Sequence, residues 1–216
     1  AVAGLGTFLT LDDGRSWAAI GDGLDPEVAA LCEHPERPHR RYAACASGVY
    51  RSEDGGYTWT IVNRTEGMGD RPFYYGQIRV DPQNENRVYN IRSPLDLSED
   101  GGKNFRTLLP FARVHVDHHA FYINPRDGRF IVDGNDGGVY LSRDRGTTWQ
   151  FVENLPLAQF YHINVDMETP FNVMGGLQDN GSFRGPSSVW ENGGIRYHHW
   201  REVDFGDGFA VIADPT

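Results

Sequence analysis

Nine side chains in this sequence have the chemistry to hold a hydroxyl-rich ligand: Arg71, Tyr74, Tyr75, His118, Asp136, Tyr161, Gln178, Asp179 and Asp207. Aromatic rings stack on flat CH faces, while amides, carboxylates and a guanidinium donate and accept hydrogen bonds, which is what a carbohydrate site needs. Asp136 stands in "GNDGG" and Asp179 in "LQDNG", 43 residues apart and each among glycines. A plainer role, capping a glycine turn, fits both aspartates equally well. In "VDHH", His115, Asp117, His118 and His119 have metal-ligand types. Adjacent residues on a strand point to opposite faces, however, so His118 and His119 are not expected to ligate together, and no metal or cofactor is expected. The "YHHW" at 197–200 reads as packing.

Four related octapeptides set the positions of these residues. "TLDDGRSW" ends at Trp17, "SEDGGYTW" at Trp59, "SEDGGKNF" at Phe105 and "SRDRGTTW" at Trp149, at spacings of 42, 46 and 44 residues. A constant period in this range marks a repeat architecture. Within each octapeptide, Ser/Thr and Asp bond their own backbone across a tight turn, and Gly takes a positive-φ position. Asp12, Asp54, Asp100 and Asp144 are therefore fold residues. The aromatic opens the next strand, and Trp17, Trp59, Phe105 and Trp149 are expected to be buried between neighbouring sheets.

Short alternating strands between the turns give one four-stranded unit per repeat. The units run approximately over 1–23, 27–65, 77–110, 118–155 and 159–204, with a final strand at 208–216. The fifth unit carries a degraded turn, "GPSSVW". Connections alternate between two ends of each unit. The octapeptide turns join third to fourth strands and share one end with the first-to-second turns. Second-to-third and fourth-to-first connections share the other end, and all nine residues above lie on or beside them.

Composition agrees with an all-β chain. It has 216 residues, 26 Gly, 12 Pro, 12% aromatics and a net charge of −10. The acid excess, with no clustered Lys/Arg, excludes a nucleic-acid partner and favours basic ones. No apolar run is long enough for a membrane-spanning helix. Cys32 and Cys45 fall on neighbouring strands, and both a cross-strand disulfide and two buried thiols fit.

The octapeptides resemble Asp-box (bacterial neuraminidase) repeats, found in the β-propellers of sialidases, xyloglucanases, sortilin-type receptors and photosystem assembly factors. That resemblance implies a β-propeller of four-stranded antiparallel blades with Asp-box hairpins, about five blades in this chain. The ends at Ala1 and Thr216 fall inside blades. A five-bladed closed ring and a segment of a larger propeller both fit, and the segment is preferred because such propellers usually have six or more blades. Over about residues 70–216, "VHVDHHAFYINP", "LPLAQFYHINVD" and "GGLQDNGSFRGPS" are also similar to large exported bacterial proteins with sortilin-like propellers, labelled glycosyl hydrolases by similarity. This implies a secreted, periplasmic or cell-surface location. "GNDGGVY" and "LQDNGSFRG" further resemble the stretches around the catalytic aspartates of inverting xyloglucanases. Carried over, Asp136 and Asp179 become the acid and base, in undecided order, and the other seven residues bind a polysaccharide. In xyloglucanases the pair faces across two domains, whereas both aspartates lie here in one repeat series. No arginine triad supports a sialidase. The alternative is a non-catalytic propeller that binds peptide, protein or glycan with the same face.

Overall fold

The computed structural model describes residues 7–69, 71, 74–109, 113–155 and 157–214. The chain divides into two compact units, Ala1–Val152 and Glu153–Thr216. Every sheet among the described residues is antiparallel, with strands in sequence order. The first unit opens with a two-stranded sheet, β1 (Thr7–Leu9) and β2 (Ala18–Ile20). Three four-stranded sheets follow. They are β3 (Val28–His34), β4 (Arg37–Cys45), β5 (Gly48–Ser52) and β6 (Thr60–Asn63); β7 (Gln77–Asp81), β8 (Asn84–Ile91), β9 (Leu95–Ser98) and β10 (Arg106–Leu109); and β11 (His118–Ile123), β12 (Ile131–Asn135), β13 (Gly138–Ser142) and β14 (Gln150–Phe151). The second unit holds β15 (Phe160–Val165), β16 (Asn172–Leu177), β17 (Ser182–Pro186) and β18 (Arg201–Asp204). No helix among the described residues is long and apolar enough to cross a membrane.

The repeated turns close on the same hydrogen bonds each time. In the second, Ser52 Oγ donates to Asp54 Oδ1 (2.8 Å) and accepts the Gly56 N–H (2.9 Å), while Thr58 donates its N–H (2.9 Å) and hydroxyl (2.6 Å) to the Asp54 carboxylate. Trp59 Nε1 then donates to Gly56 O (2.8 Å). The turns at Asp12, Asp100 and Asp144 repeat the Ser/Thr and Asp bonds, and Trp17 and Trp149 repeat the indole bond, which Phe105 cannot make. Eight residues thus satisfy their own polar groups and aim the aromatic at the next strand. Gly48 and Gly138 begin the third strands at φ +136 and +130, and a Cβ at Gly48 would lie 2.1 Å from Asn63 O, so no other residue fits there.

The core of the first unit lies between sheets. Tyr42, Ala44 and Val49 pack with Met68, Ile78, Val80 and Val88. Tyr89, Ile91, Leu95 and Leu97 pack with Phe121 and Ile131. The turn aromatics join these layers unevenly. Trp59 is 7% exposed beside Ala43, Cys45 and Tyr50, Phe105 and Trp149 are half-buried against the two clusters, and Trp17 is 61% exposed. The expected burial of Trp17 does not occur, because among the described residues no strand precedes the β1–β2 sheet to cover it.

Two further expectations are settled by register. Cys32 lies opposite Tyr42 and Cys45 opposite Val28, so the cysteines are offset by roughly 10 Å along the strands. That exceeds the reach of a disulfide, about 7 Å between Cα atoms, and both thiols are free. The expected strand at 208–216 is absent among its described residues. Gly181 N–H donates to Gly206 O (2.6 Å) and Gly208 N–H to Leu177 O (2.9 Å), tying this segment across the end of β16.

Candidate functional site

Asp136 and Asp144 mark opposite ends of β13, five residues long and roughly 12–15 Å at the usual rise of a strand. Asp144 closes a repeated turn. Asp136 lies in the β12–β13 connection, where Asn135 Oδ1 accepts the Gly137 N–H (3.0 Å). A Cβ on Gly137 would approach His115 Cβ to 2.5 Å, so glycine is needed for the connection to fold back on that histidine.

Around Asp136 the first unit gathers a polar and aromatic cluster. His119 Nε2 is 2.8 Å from Asp136 Oδ1, both side chains being partly buried. The Tyr74 ring meets His119 edge-on at 4.9 Å, and Tyr75 does so at 5.7 Å. Arg71 stands over the Tyr75 ring at 5.9 Å. Its φ of +48 forms a turn in which Arg71 O accepts the N–H groups of Tyr74 and Tyr75.

Local strand geometry selects His119 rather than His118. His118 pairs with Asn135 and Ala120 with Gly134, leaving His119 as the extra residue of a β-bulge. Bulges re-aim side chains and are frequent beside active sites. His118 turns inward, 1% exposed, and its Nδ1 lies 2.8 Å from Oδ2 of the buried Asp133. The expectation that His118 contacts a ligand is therefore corrected. Tyr75, 6% exposed, backs the cluster, while Tyr74, 46% exposed, offers its face. A hollow of about 460 Å³ adjoins the cluster, with Gln77, Arg79, His119 and Tyr122 among its lining residues.

The second unit builds an equivalent end. Tyr161 is the extra residue of a bulge at the start of β15, the position His119 holds in β11. Its ring lies 5.0 Å from Phe209. Asp179, at φ +58 in the β16–β17 connection, donates its N–H to Asp207 Oδ1 (3.1 Å), and Asn180 Nδ2 donates to Gln178 O (2.7 Å). Tyr161, Gln178, Asp179 and Asp207 thus share one end of this unit, and Arg71, Tyr74, Tyr75 and Asp136 one end of the first. Sequence reasoning missed Phe209, Arg79 and the partnership of His119 with Asp136.

In the fifth unit Trp200 immediately precedes β18, as Trp149 precedes β14. An excursion through residues 187–199 replaces the compact turn and carries Glu191, His198 and His199 within 4.8 Å of one another. The donor types suit a divalent ion, but the bonding does not. Arg196 N–H donates to His199 Nδ1 (2.9 Å), which places the proton of the neutral ring on Nε2, the atom facing Glu191 at 3.4 Å. Metal-bound histidines instead donate through their second nitrogen. These residues form a loose polar clasp, Glu191 Oε1 lying 3.5 Å from His198 Nε2 and 3.4 Å from His199 Nε2.

No family model matches the chain. A xyloglucanase of Hypocrea jecorina (strain QM6a) is 26% identical over 168 residues, covering 67% of this chain and 18% of its own length. An oligoxyloglucan-reducing end-specific xyloglucanase of Emericella nidulans is 25% identical over 175 residues, covering 70% of this chain and 22% of its own. The chain therefore spans about a fifth of the length of these curated relatives. Among solved structures, a GH74 enzyme of Niastella koreensis superposes with a TM-score of 0.58 at 15% identity, over 92% of this chain and 34% of the other. Together with the four-stranded antiparallel sheets, this likeness establishes the fold as a β-propeller.

Proposed function

We propose that this chain is part of an exported, carbohydrate-active propeller, an inverting glycoside hydrolase in which Asp136 and Asp179 are the paired carboxylates. The observation that carries the reading is the meeting of Asp136, His119, Tyr74 and Arg71 at the blade end opposite the repeated turns. Those turns support an Asp-box assignment, since four aspartates make the same local bonds. The xyloglucanase names of the two relatives make xyloglucan the first polysaccharide to test.

In such a pair one carboxyl protonates the glycosidic oxygen, and the other activates a water on the opposite face of the sugar, about 6.5–9.5 Å away. Asp136 and Asp179 are the acid and base in either order, and the 2.8 Å contact of His119 Nε2 with Oδ1 orients the Asp136 carboxyl. Tyr74 in the first unit and Tyr161 in the second each offer a stacking face, and Arg71, Gln178 and Asp207 bind hydroxyls. The test is release of reducing sugar from xyloglucan and a panel of other polysaccharides. Asp136→Asn and Asp179→Asn should each abolish it, and unchanged release in both variants defeats the reading.

A second reading is a glycan- or peptide-binding module, in which the polar and aromatic cluster around Asp136 and His119 holds a ligand without chemistry. Binding that survives both Asp→Asn changes, with no turnover by the parent chain, supports that reading instead.

A further inference from the structure

We propose that the hollow beside His119 takes a carboxylated sugar, a uronate of an acidic glycan, and that Arg79 selects it. This rests on the carbohydrate reading above and narrows its substrate class. The sequence holds 30 acidic against 20 basic residues, yet among the described residues no carboxylate lines this hollow. Its polar lining is Gln77, Arg79 and His119.

Arg79 is half-buried, and among the described residues its guanidinium is held by neutral acceptors. Nη1 donates to Ile78 O (3.0 Å) and Nη2 to Gln77 Oε1 (2.7 Å). Elsewhere in the same unit, Arg87, Arg92 and Arg145 each pair with a carboxylate. A guanidinium presents five N–H donors, so Arg79 keeps donors for a ligand. Gln77 fixes its aim, because the same amide that accepts from Arg79 donates through Nε2 to the backbone oxygen of His119. Strands β7 and β11 thereby hold the cation and the bulge histidine as one preorganised pair.

The remaining wall suits a pyranose. Tyr122, 53% exposed, lies opposite Val132 in the register, and Ala120 opposite Gly134, giving a low apolar floor beneath an aromatic plate. The volume, about 460 Å³, is that of a small-ligand pocket and fits one or two sugar rings. A charge-assisted, partly desolvated Arg–carboxylate contact outweighs the hydroxyl contacts a neutral sugar would make there.

The test is calorimetric titration of the chain with trigalacturonate, its methyl ester and a neutral xyloglucan oligosaccharide, at low and moderate salt. We expect trigalacturonate to bind about tenfold or more tightly than its ester, and salt to weaken only the acid. Arg79→Met should erase the preference and Arg79→Lys should keep part of it, so the lysine variant and the salt series decide if the methionine variant fails to fold. Equal affinity for acid and ester, or tighter binding of the xyloglucan oligosaccharide, overturns the inference while leaving the carbohydrate reading in place. Absence of binding by all three saccharides overturns both. Equally tight binding of triglutamate removes the sugar and overturns the inference.

Discussion

Nε2 of His119 lies 2.8 Å from Oδ1 of Asp136, although the two residues sit on different strands' ends and the preceding residue, His118, faces the other way. The β-bulge makes this contact, because it inserts His119 without moving His118 from its buried bond to Asp133. One His–His dipeptide therefore serves two carboxylates, one structural and one exposed to the proposed ligand.

The two histidines should separate in mutagenesis. His118→Ala leaves the buried Asp133 carboxylate without its imidazole partner and should cost about 3 kcal/mol in urea unfolding, with activity falling only as the fold does. His119→Ala should leave the unfolding midpoint nearly unchanged and lower turnover or glycan affinity by about tenfold or more. Equal stability losses in the two variants would contradict the division of roles.

Burial decides a second comparison. Trp59→Ala removes a core aromatic and should cost about 3–5 kcal/mol, whereas Trp17→Ala, on a ring 61% exposed, should stay within about 0.5 kcal/mol. Urea denaturation of the two variants measures both, and a Trp17 loss as large as that of Trp59 would show that ring to be covered.

Acid sensitivity follows from the repeated turns. The Thr58 hydroxyl and N–H, with the Ser52 hydroxyl, bring the Asp54 carboxyl down to about 2. Burial pushes Asp100 upward, but the Asn104 amides, the Ser98 hydroxyl and the Lys103 N–H outweigh it, and this carboxyl also falls to about 2. An unfolded aspartate titrates near 3.9, so these folded values are depressed. Their stabilisation is complete above about pH 4 and is lost as pH falls towards about 2. Asp54→Asn with Asp100→Asn should flatten the decline of the urea midpoint between pH 5 and 2. Asp127 and Asp166, also at about 2, keep part of the slope. An undiminished slope in the double variant would mean that the turns do not set it.

How much of this was legible depended on the range of the physics. The octapeptide turns satisfy their bonds within eight residues, so Asp54, Asp100 and Asp144 could be read directly. That Asp136 and Asp179 fall in equivalent connections, β12–β13 and β16–β17, was readable from the constant register. Strand parity predicted that His118 and His119 point apart, but not which faces outward, since the bulge is set by pairing with β12. The degraded turn at 185–190 signalled an irregular fifth unit, but not the course of the excursion before β18. Trp17 carries the same local signal as Trp59, and only the sheet beside it distinguishes them. Residues 208–214 have a strand-like pattern, but backbone bonds through Gly206 and Gly208 hold them against β16 instead.

The thiols should be unreactive in the folded chain. Burial pushes Cys45 up to about 12 and also raises Cys32, so little thiolate exists at pH 8. A chromogenic disulfide reagent should label neither cysteine before urea is added and both afterwards. Rapid labelling of the native chain would contradict the thiols' burial, and an intramolecular disulfide by mass spectrometry the strand register of β3 and β4.

The clasp at Glu191, His198 and His199 gives the last prediction, which turns on a single proton. Because Arg196 N–H occupies His199 Nδ1, the neutral ring must carry its proton on Nε2, directed at Glu191. Nitrogen chemical shifts above pH 8 should therefore show the Nε2–H tautomer for His199. Zinc binding through Nε2 would require removing that proton while Nδ1 still accepts, or breaking the Arg196 bond, and either route penalises the complex. Titration with zinc should leave the His199 resonances in place, and Glu191→Gln should not change the response. A saturable zinc shift that Glu191→Gln abolishes would turn the clasp into a metal site. That result would require the 3-10 turn at Tyr197–His199 to open, visible as loss of the Arg196 amide's protection from hydrogen exchange.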